Sequence, residues 1–499
     1  RILEGPKYIF RNIDYENSIE DLNKALSSEI NNLLISNSNL KNNPFNQSTL
    51  DDLKTLIADI LENNGHNFFE INTLKKIENE FVDIRFQILP TKPKYLNQIN
   101  IVGNYRTLEK VIRREISIAE GDPISDHDIK VIYRKLNRID LFGLVNIEEV
   151  FLEDNEINLD IEVEEKQTGT FQVGLSVGSF DGVTFIAGLR EKNFGGTGRN
   201  LNFLINTSDD NTEYVINTTH PHFFNNDIDL NYGLKYSQKD YSKSQSYKLN
   251  EFSINNGLKY QYIHNLHHSI NLNYKLKNYI ITDKNTASTL ILNSEGESSN
   301  ISLQNILTYN TLNSFLRPTK GNYIRFMNAV QAPTSSNNGY IKNLVTYKKF
   351  QQNNKNVFSF QSMIGNIYPL QNNEILTDEK FSLGGKWLRG FDIYGAGPRN
   401  SATSYVGGKN LIITKFDYSK PINKNSDTPI YLNFFNDYGL VWENKTTPTN
   451  SDNSIRGSYG FGIKYYSPIG PIGFTWGFPL MDKDYDIKRM FMFQIGYID

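Results

Sequence analysis

Cysteine is missing from all 499 residues. Its absence excludes a disulfide framework, a thiol nucleophile and a thiolate metal site. Long apolar runs are missing too. No stretch reaches the roughly 18–20 consecutive apolar residues that a spanning helix requires, which excludes a helical membrane protein. A spanning β-barrel stays open, because its strands carry apolar residues only at alternate positions. Neither sign of charge is in large excess. The formal net charge of -3 gives no electrostatic footprint for nucleic acid, and no nucleic-acid partner is expected. The opening Arg1-Ile-Leu-Glu-Gly-Pro6 lacks a basic start and an apolar stretch, so the chain reads as processed or as a fragment of a longer protein. Gly195-Gly196, Gly384-Gly385-Lys386 and Gly407-Gly408-Lys409 do not complete a nucleotide loop and read as turns. His220, His222, His264, His267 and His268 fall near turns and read as solvated, not as metal ligands. No catalytic constellation or cofactor site is legible, and an enzyme is not expected.

What is present is aromatic and strand-forming: 29 Tyr and 31 Phe, with abundant Asn, Ser and Gly. Residues 1–167 mix two periods. Ile19, Leu22, Leu26, Ile30 and Leu33 recur at helical steps. Ser48 and Asp51 suggest a capping box before Leu50, Leu53, Ile57 and Ile60. Phe81–Leu89 reads as a strand. Gln98–Val102 then begins a second unit, in which Leu108, Val111, Ile112 and Ile116 share one helix face. Ser125 and Asp128 open another helix, and strands follow near Leu144–Leu152 and Ile157–Glu164. Strand, helix, helix, strand, strand thus occurs twice, over 1–92 and 93–167, at a period of roughly 80–90 residues. Two independent α+β domains would give the same spacing.

From 168 to 499 the period becomes two. Ile228, Leu230, Tyr232, Leu234 and Tyr236 alternate with Asp227, Asp229, Asn231, Gly233 and Lys235. Ile270, Leu272, Tyr274 and Leu276 alternate with polar residues in the same way. Connections alternate short, as at 223–226, 265–267, 352–355 and 467–470, and long, as at 237–246, 283–300, 370–404 and 443–454. Short turns on one side and long loops on the other mark an outer-membrane barrel, here of about sixteen antiparallel strands from 170–178 to 489–498. In lipid each unpaired backbone group costs several kcal/mol, so such a sheet must close on itself.

The loop 370–404 is long enough to suggest a purpose. It carries Leu388-Arg-Gly-Phe391 within an aromatic- and glycine-rich run, then Gly397-Pro-Arg399. In Ile430–Asp437, Ile430, Leu432 and Phe434 mark the lipid face, and Asn433 and Asp437 point inward. Phe435 shares that inner face against the expected parity. A luminal carboxylate can accept a bidentate guanidinium.

These segments carry a resemblance. Leu388-Arg389-Gly390-Phe391 resembles the arginine-glycine-aromatic signature in the large loop of outer-membrane assembly and secretion pores. Phe435-Asn-Asp-Tyr-Gly439 and Gly460-Phe-Gly-Ile-Lys464 resemble two of that superfamily's strand motifs. Gly103-Asn104, Arg113-Arg114-Glu115, Glu120-Gly121, the junction Val163–Gly169 and Ser467-Pro-Ile-Gly-Pro471 extend the likeness to the BamA family of outer-membrane protein assembly factors. There, polypeptide-transport-associated (POTRA) repeats precede a sixteen-stranded barrel. The chain departs from that family in showing two repeats, read as truncation, and in ending on Tyr497-Ile-Asp499 where the family ends on an aromatic residue.

The resemblance implies that the loop enters the lumen and that Arg389 meets Asp437. It implies residence in the bacterial outer membrane, with repeats in the periplasm. It also implies insertion of unfolded outer-membrane proteins into the bilayer, with BamD-type periplasmic lipoproteins and chaperones as partners. A physical route is a lateral seam between Phe171, Val173, Gly174, Leu175, Val177 and Gly178 of the first strand and Phe491, Phe493, Ile495, Gly496 and Tyr497 of the last. Glycine weakens strands, although small lumen-facing residues are also ordinary in barrels. A pore exporting a dedicated client, of the two-partner-secretion type, is the alternative.

Overall fold

The computed structural model describes every residue except 1–6, 20–23, 37–42, 226, 335–337, 372–374, 400–404, 424–428, 444–452, 468–469 and 497–499. The chain divides into two compact units, Arg1–Gln167 and Thr168–Asp499.

The first unit holds two sheet-and-helix modules. One comprises β1 (Ile9–Asn17), α1 (Lys24–Ser36), α2 (Gln47–Asn63), β2 (Phe69–Glu78) and β3 (Phe81–Pro90), with sheet order β1-β3-β2. The other comprises β4 (Lys94–Val102), α3 (Glu109–Arg113), β5 (Pro123–Ile124), α4 (Asp126–Arg138), β6 (Phe142–Phe151) and β7 (Glu156–Glu165), ordered β5-β4-β7-β6. In each, the first strand, β1 or β4, runs parallel to the last, β3 or β7. Leu50, Leu53, Ile57 and Leu61 of α2 bury against Val82, Ile84, Phe86 and Ile88. The buried stripe therefore ends on Leu61 rather than Ile60. The cap of α2 also differs from the sequence reading: Asn46, not Ser48, is the N-cap, accepting from the Ser48 N–H at 2.9 Å. Asn competes well with Ser at that position, and the two lie close in sequence. Ser125 and Asp128 form a reciprocal capping box on α4.

The second unit is a closed barrel of sixteen antiparallel strands among the described residues. In chain order they are β8 (Gly169–Gly178), β9 (Gly182–Phe194), β10 (Arg199–Thr207), β11 (Asn211–His220), β12 (Ile228–Asp240), β13 (Tyr247–Ile263), β14 (Leu266–Ile281), β15 (Gly296–Asn310), β16 (Gly321–Ala332), β17 (Tyr340–Asn353), β18 (Asn356–Pro369), then β20 (Asn410–Pro421), β21 (Ile430–Trp442), β22 (Arg456–Ser467), β23 (Gly470–Met481) and β25 (Phe491–Ile495). Two short strands, β19 (Gly390–Phe391) and β24 (Lys488–Arg489), pair with each other and form no part of the wall.

Leu234, Leu258, Leu272, Leu276, Leu303 and Leu307 are exposed on the outer face. On the inner face Asn255 bonds Asn273, and Asn328 bonds Asn343. The alternation predicted from sequence is thus an apolar exterior and a polar interior, as a bilayer demands. Two details depart from expectation. The last barrel strand begins at Phe491, not at 489, because Arg489 is taken up by β24. The alternation of connection lengths is also incomplete: 311–320 is long on the side of the short turns, and 179–181 and 208–210 are short on the side of the long loops.

Candidate functional site

The connection between β18 and β20 folds into the barrel and brings a core of its own. Leu388 and Phe391 are buried with Phe381, Leu383, Ala396, Leu411, Ile413 and Val441, so apolar loop residues pack on the inner faces of β20 and β21. That packing holds the tip 388–391 against the wall. Gly390 and Gly477 then allow the closest approach. A side chain at Gly477 would meet the Gly390 nitrogen at 2.7 Å, and Gly390 itself has φ +94°.

Arg389 extends along β21. Its Nε and Nη2 donate to the two oxygens of Asp437 at 2.7 and 2.5 Å, a bidentate pair, and its backbone N–H donates to Asp437 at 3.2 Å. Nη1 donates to Asp417 at 2.6 Å. The guanidinium lies 3.7 Å from the centroid of the Phe435 ring. Parity holds through Asn433, Phe435 and Asp437, all buried, and the apolar residue on this polar face is accounted for: it is a cation–π platform. Lys415 lies 3.9 Å from Asp437 and donates to the Lys386 carbonyl at 2.5 Å, so two cations face two carboxylates. Asp437 is wholly buried. A charge so placed is tolerated only when paired and hydrogen-bonded.

Asp417 escaped the sequence reading. It sits on β20 opposite Phe435 of β21, at an inward position of an alternating strand. That parity was its one available signal. A second anchor was also missed. Lys277, buried on β14, pairs with Asp378 at 2.5 Å and with Glu379, and Tyr340 and Tyr279 donate to the same two carboxylates at 2.6 and 2.8 Å. The adjacent acids Asp378-Glu379 within the loop were the sequence signal for it. Arg399 donates to the Tyr394 carbonyl at 2.7 Å, inside the loop.

The candidate seam residues lie at the meeting of β8 and β25. Register pairs join Gln494 to Gly178 and Ile495 to Val177. Ser179 N–H donates to the Phe493 carbonyl at 3.0 Å, and Phe493 N–H donates to Ser179 Oγ at 2.8 Å. Among the described residues the pairing extends no further. Phe171, Val173 and Leu175 are 73%, 59% and 67% exposed on the outer face. Gly174 stands opposite Ile186 of β9, on the side away from the seam. Phe491 packs on β23, tilted against Trp476 at 5.2 Å and stacked with Phe474 at 6.4 Å. Gly496 has φ +89°, and a side chain there would meet the Leu175 carbonyl at 2.8 Å. Tyr497 lies outside the described residues.

A sixteen-stranded barrel with an inward-folded loop clamped by arginine, preceded by small α+β modules, defines the class of outer-membrane barrels with periplasmic repeats. The comparisons narrow this class. Residues 193–498 match the Omp85 superfamily domain, and 94–166 match the POTRA model, described as a surface antigen variable number repeat. The chain belongs to the Omp85 superfamily; it lies in the bacterial outer membrane, its repeats in the periplasm. It is 24% identical over 491 residues to the outer membrane protein assembly factor BamA of Nitratidesulfovibrio vulgaris, covering 96% of this chain and 60% of that one. To the BamA of Neisseria meningitidis it is 24% identical, covering 87% and 60%. The chain thus spans about 60% of the length of these curated relatives. In fold it is similar to the crystal structure of BamA from Haemophilus ducreyi lacking POTRA domains 1-3, with TM-score 0.81 and 20% identity over 98% of this chain and 99% of that one. It is more distantly similar to CdiB from Acinetobacter baumannii, with TM-score 0.56 and 13% identity over 99% and 90%.

Proposed function

We propose that this chain is the core of an insertase that folds unfolded β-barrel proteins into the outer membrane. The observation that carries the reading is the short closure between β8 and β25, where the described ladder is limited to Gln494–Gly178 and Ile495–Val177. The donors and acceptors along the rest of the β8 edge form a template for β-augmentation, and an incoming strand satisfies them. The driving free energy is the client's own hydrogen bonding and burial in lipid, so no nucleotide is needed. The family relationship supports this reading, because the relatives named above are assembly factors.

On this reading the clamp of Arg389 with Asp437 and Asp417 keeps the loop seated, so that the wall beside the seam holds its shape while the seam opens. The described part of the seam comprises Phe171, Val173, Gly174, Leu175, Val177 and Gly178 with Phe491, Phe493, Ile495 and Gly496. We assign the modules 1–92 and 93–167 as successive repeats and 168–499 as the insertion domain. Clients arrive as unfolded outer-membrane proteins, delivered by chaperones and by lipoprotein subunits of the BamD type. These partners dock on exposed sheet edges such as β6, where Leu144 and Phe151 are exposed.

The test is reconstitution into liposomes with an unfolded barrel client. Faster acquisition of protease-resistant, membrane-inserted client is the expected result. Passage of the client to the far side without insertion would instead support an export pore.

A further inference from the structure

Arg489 is absent from the seam described above, yet it touches all three segments that meet there. It lies two residues before the last strand and pairs in β24 with Gly390–Phe391 of the luminal loop. Its Nε and Nη2 donate to the two oxygens of Asp392 at 3.0 and 3.0 Å, a bidentate pair on the residue following the loop tip. Its Nη1 donates to the Ser179 carbonyl at 3.1 Å, in the turn between the first two strands, and its guanidinium lies 5.7 Å from the Phe180 ring. Ser179 is also the residue whose N–H and Oγ bond Phe493 of the last strand. The backbone of the loop is stitched to the same place, Asp392 N–H to the Ile487 carbonyl and Ile487 N–H to the Gly395 carbonyl, each at 2.9 Å.

We infer that Arg489 is a positioning residue of the seam: a latch that ties the loop tip, through Asp392, to the β8–β9 turn, through Ser179, and so makes closure of the seam depend on the seat of the loop. The inference rests on the insertase reading and deepens it. One guanidinium serves both partners, so a loop that lifts from the wall draws the cation away from Ser179, and a β8 edge that swings outward must leave Arg489 behind. The planar fork suits this double duty, and a lysine would not reproduce it. The latch sits at one end of β8, at Gly178–Ser179. Opening is therefore controlled at the end where the ladder exists, and the remainder of the edge is left for a client strand.

The test is a double-mutant cycle on the full chain in nanodiscs, read by amide hydrogen exchange. Arg489→Gln and Asp392→Asn should each speed exchange in 174–181 and 490–495 by roughly three- to fivefold, the weight of a half-exposed bidentate pair. Exchange in 250–280 on the far wall should stay unchanged and reports intact folding. The double variant should exchange no faster than Arg489→Gln alone, because that variant already removes the bond to Asp392. Unchanged exchange in both single variants, or effects that simply add, would overturn the latch. The insertase reading fails separately: should a protein with its seam closed by a disulfide still insert clients, that reading falls whatever Arg489 does to exchange.

Discussion

Two stretches of one barrel wall differ most. On the far side β13 and β14 stay paired from Tyr247–Ile281 to Ile263–Leu266, with apolar pairs such as Phe252–Leu276 and Leu258–Ile270 facing out and Asn255 bonded to Asn273 within. At the seam the described ladder joins Gly178 and Val177 to Gln494 and Ile495, and the outward Phe171, Val173 and Leu175 have no described strand beside them across the gap. Both stretches belong to the same closed sheet, and both obey the same rule that backbone groups in lipid must pair. Closure is therefore unequal around the ring. The far wall has a long ladder of its own, whereas beside the seam Phe491 packs on Trp476 and Phe474 of β23 and Arg489 bonds Asp392 of the loop.

The largest effect should come from abolishing the difference. Cysteines replacing the directly opposed Val177 and Ile495 should crosslink under mild oxidation and stop client insertion almost completely, with recovery on reduction. Insertion by an efficiently crosslinked protein would remove the functional meaning of the contrast. Next should come Arg389→Ala. It leaves the buried Asp437 without its bidentate partner, a loss on the order of 3–5 kcal/mol for a desolvated pair. Insertion should fall several-fold, and the loop around 380–395 should become accessible to protease. Equal insertion and equal loop protection in variant and wild type would show that the seam does not depend on the clamp. Asp417→Asn should do less. The amide oxygen can still accept from Nη1 and Asp437 still holds the rest, so roughly 1 kcal/mol is at stake. A modest drop in thermal stability, with insertion mostly retained, is the expected result.

Much of this contrast was legible in the residues, and the reasons for the exceptions are physical. Strict alternation in Asp227–Tyr236 and Ser269–Lys277 places far-wall strands correctly, because one face must meet lipid and the other water. Asp437 stood out as an acid at an inward parity, and Arg389 through the resemblance of Leu388–Phe391 to the superfamily's loop signature. Asp417 did not, since its strand neighbours Phe416 and Tyr418 look like any other wall segment and only the register with β21 brings it under the guanidinium. The inward Phe435 looked like an error of parity until the ring was found beneath Arg389. The start of the last strand was misplaced because Lys488-Arg489 continues smoothly into Met490-Phe491, and nothing local reveals that the first pair bonds the loop rather than the wall. Strand pairing at long range follows from topology, which residue patterns fix only where a buried face demands it.

The smallest effect sharpens the comparison most. Asn255 and Asn273 face each other across the inner side of the far wall, with Nδ2 donating to Oδ1 at 2.5 Å. Replacing both with cysteine and oxidising them adds a covalent bond where a ladder already holds the strands together. If the barrel worked by breathing as a whole, this staple would hinder insertion much as the seam lock does. If opening is confined to the seam, insertion should match wild type within error, before and after reduction. A strong block by the far-wall staple would mean that the long ladder of β13 and β14 also has to yield during the cycle, and the division of labour between the two stretches would be lost.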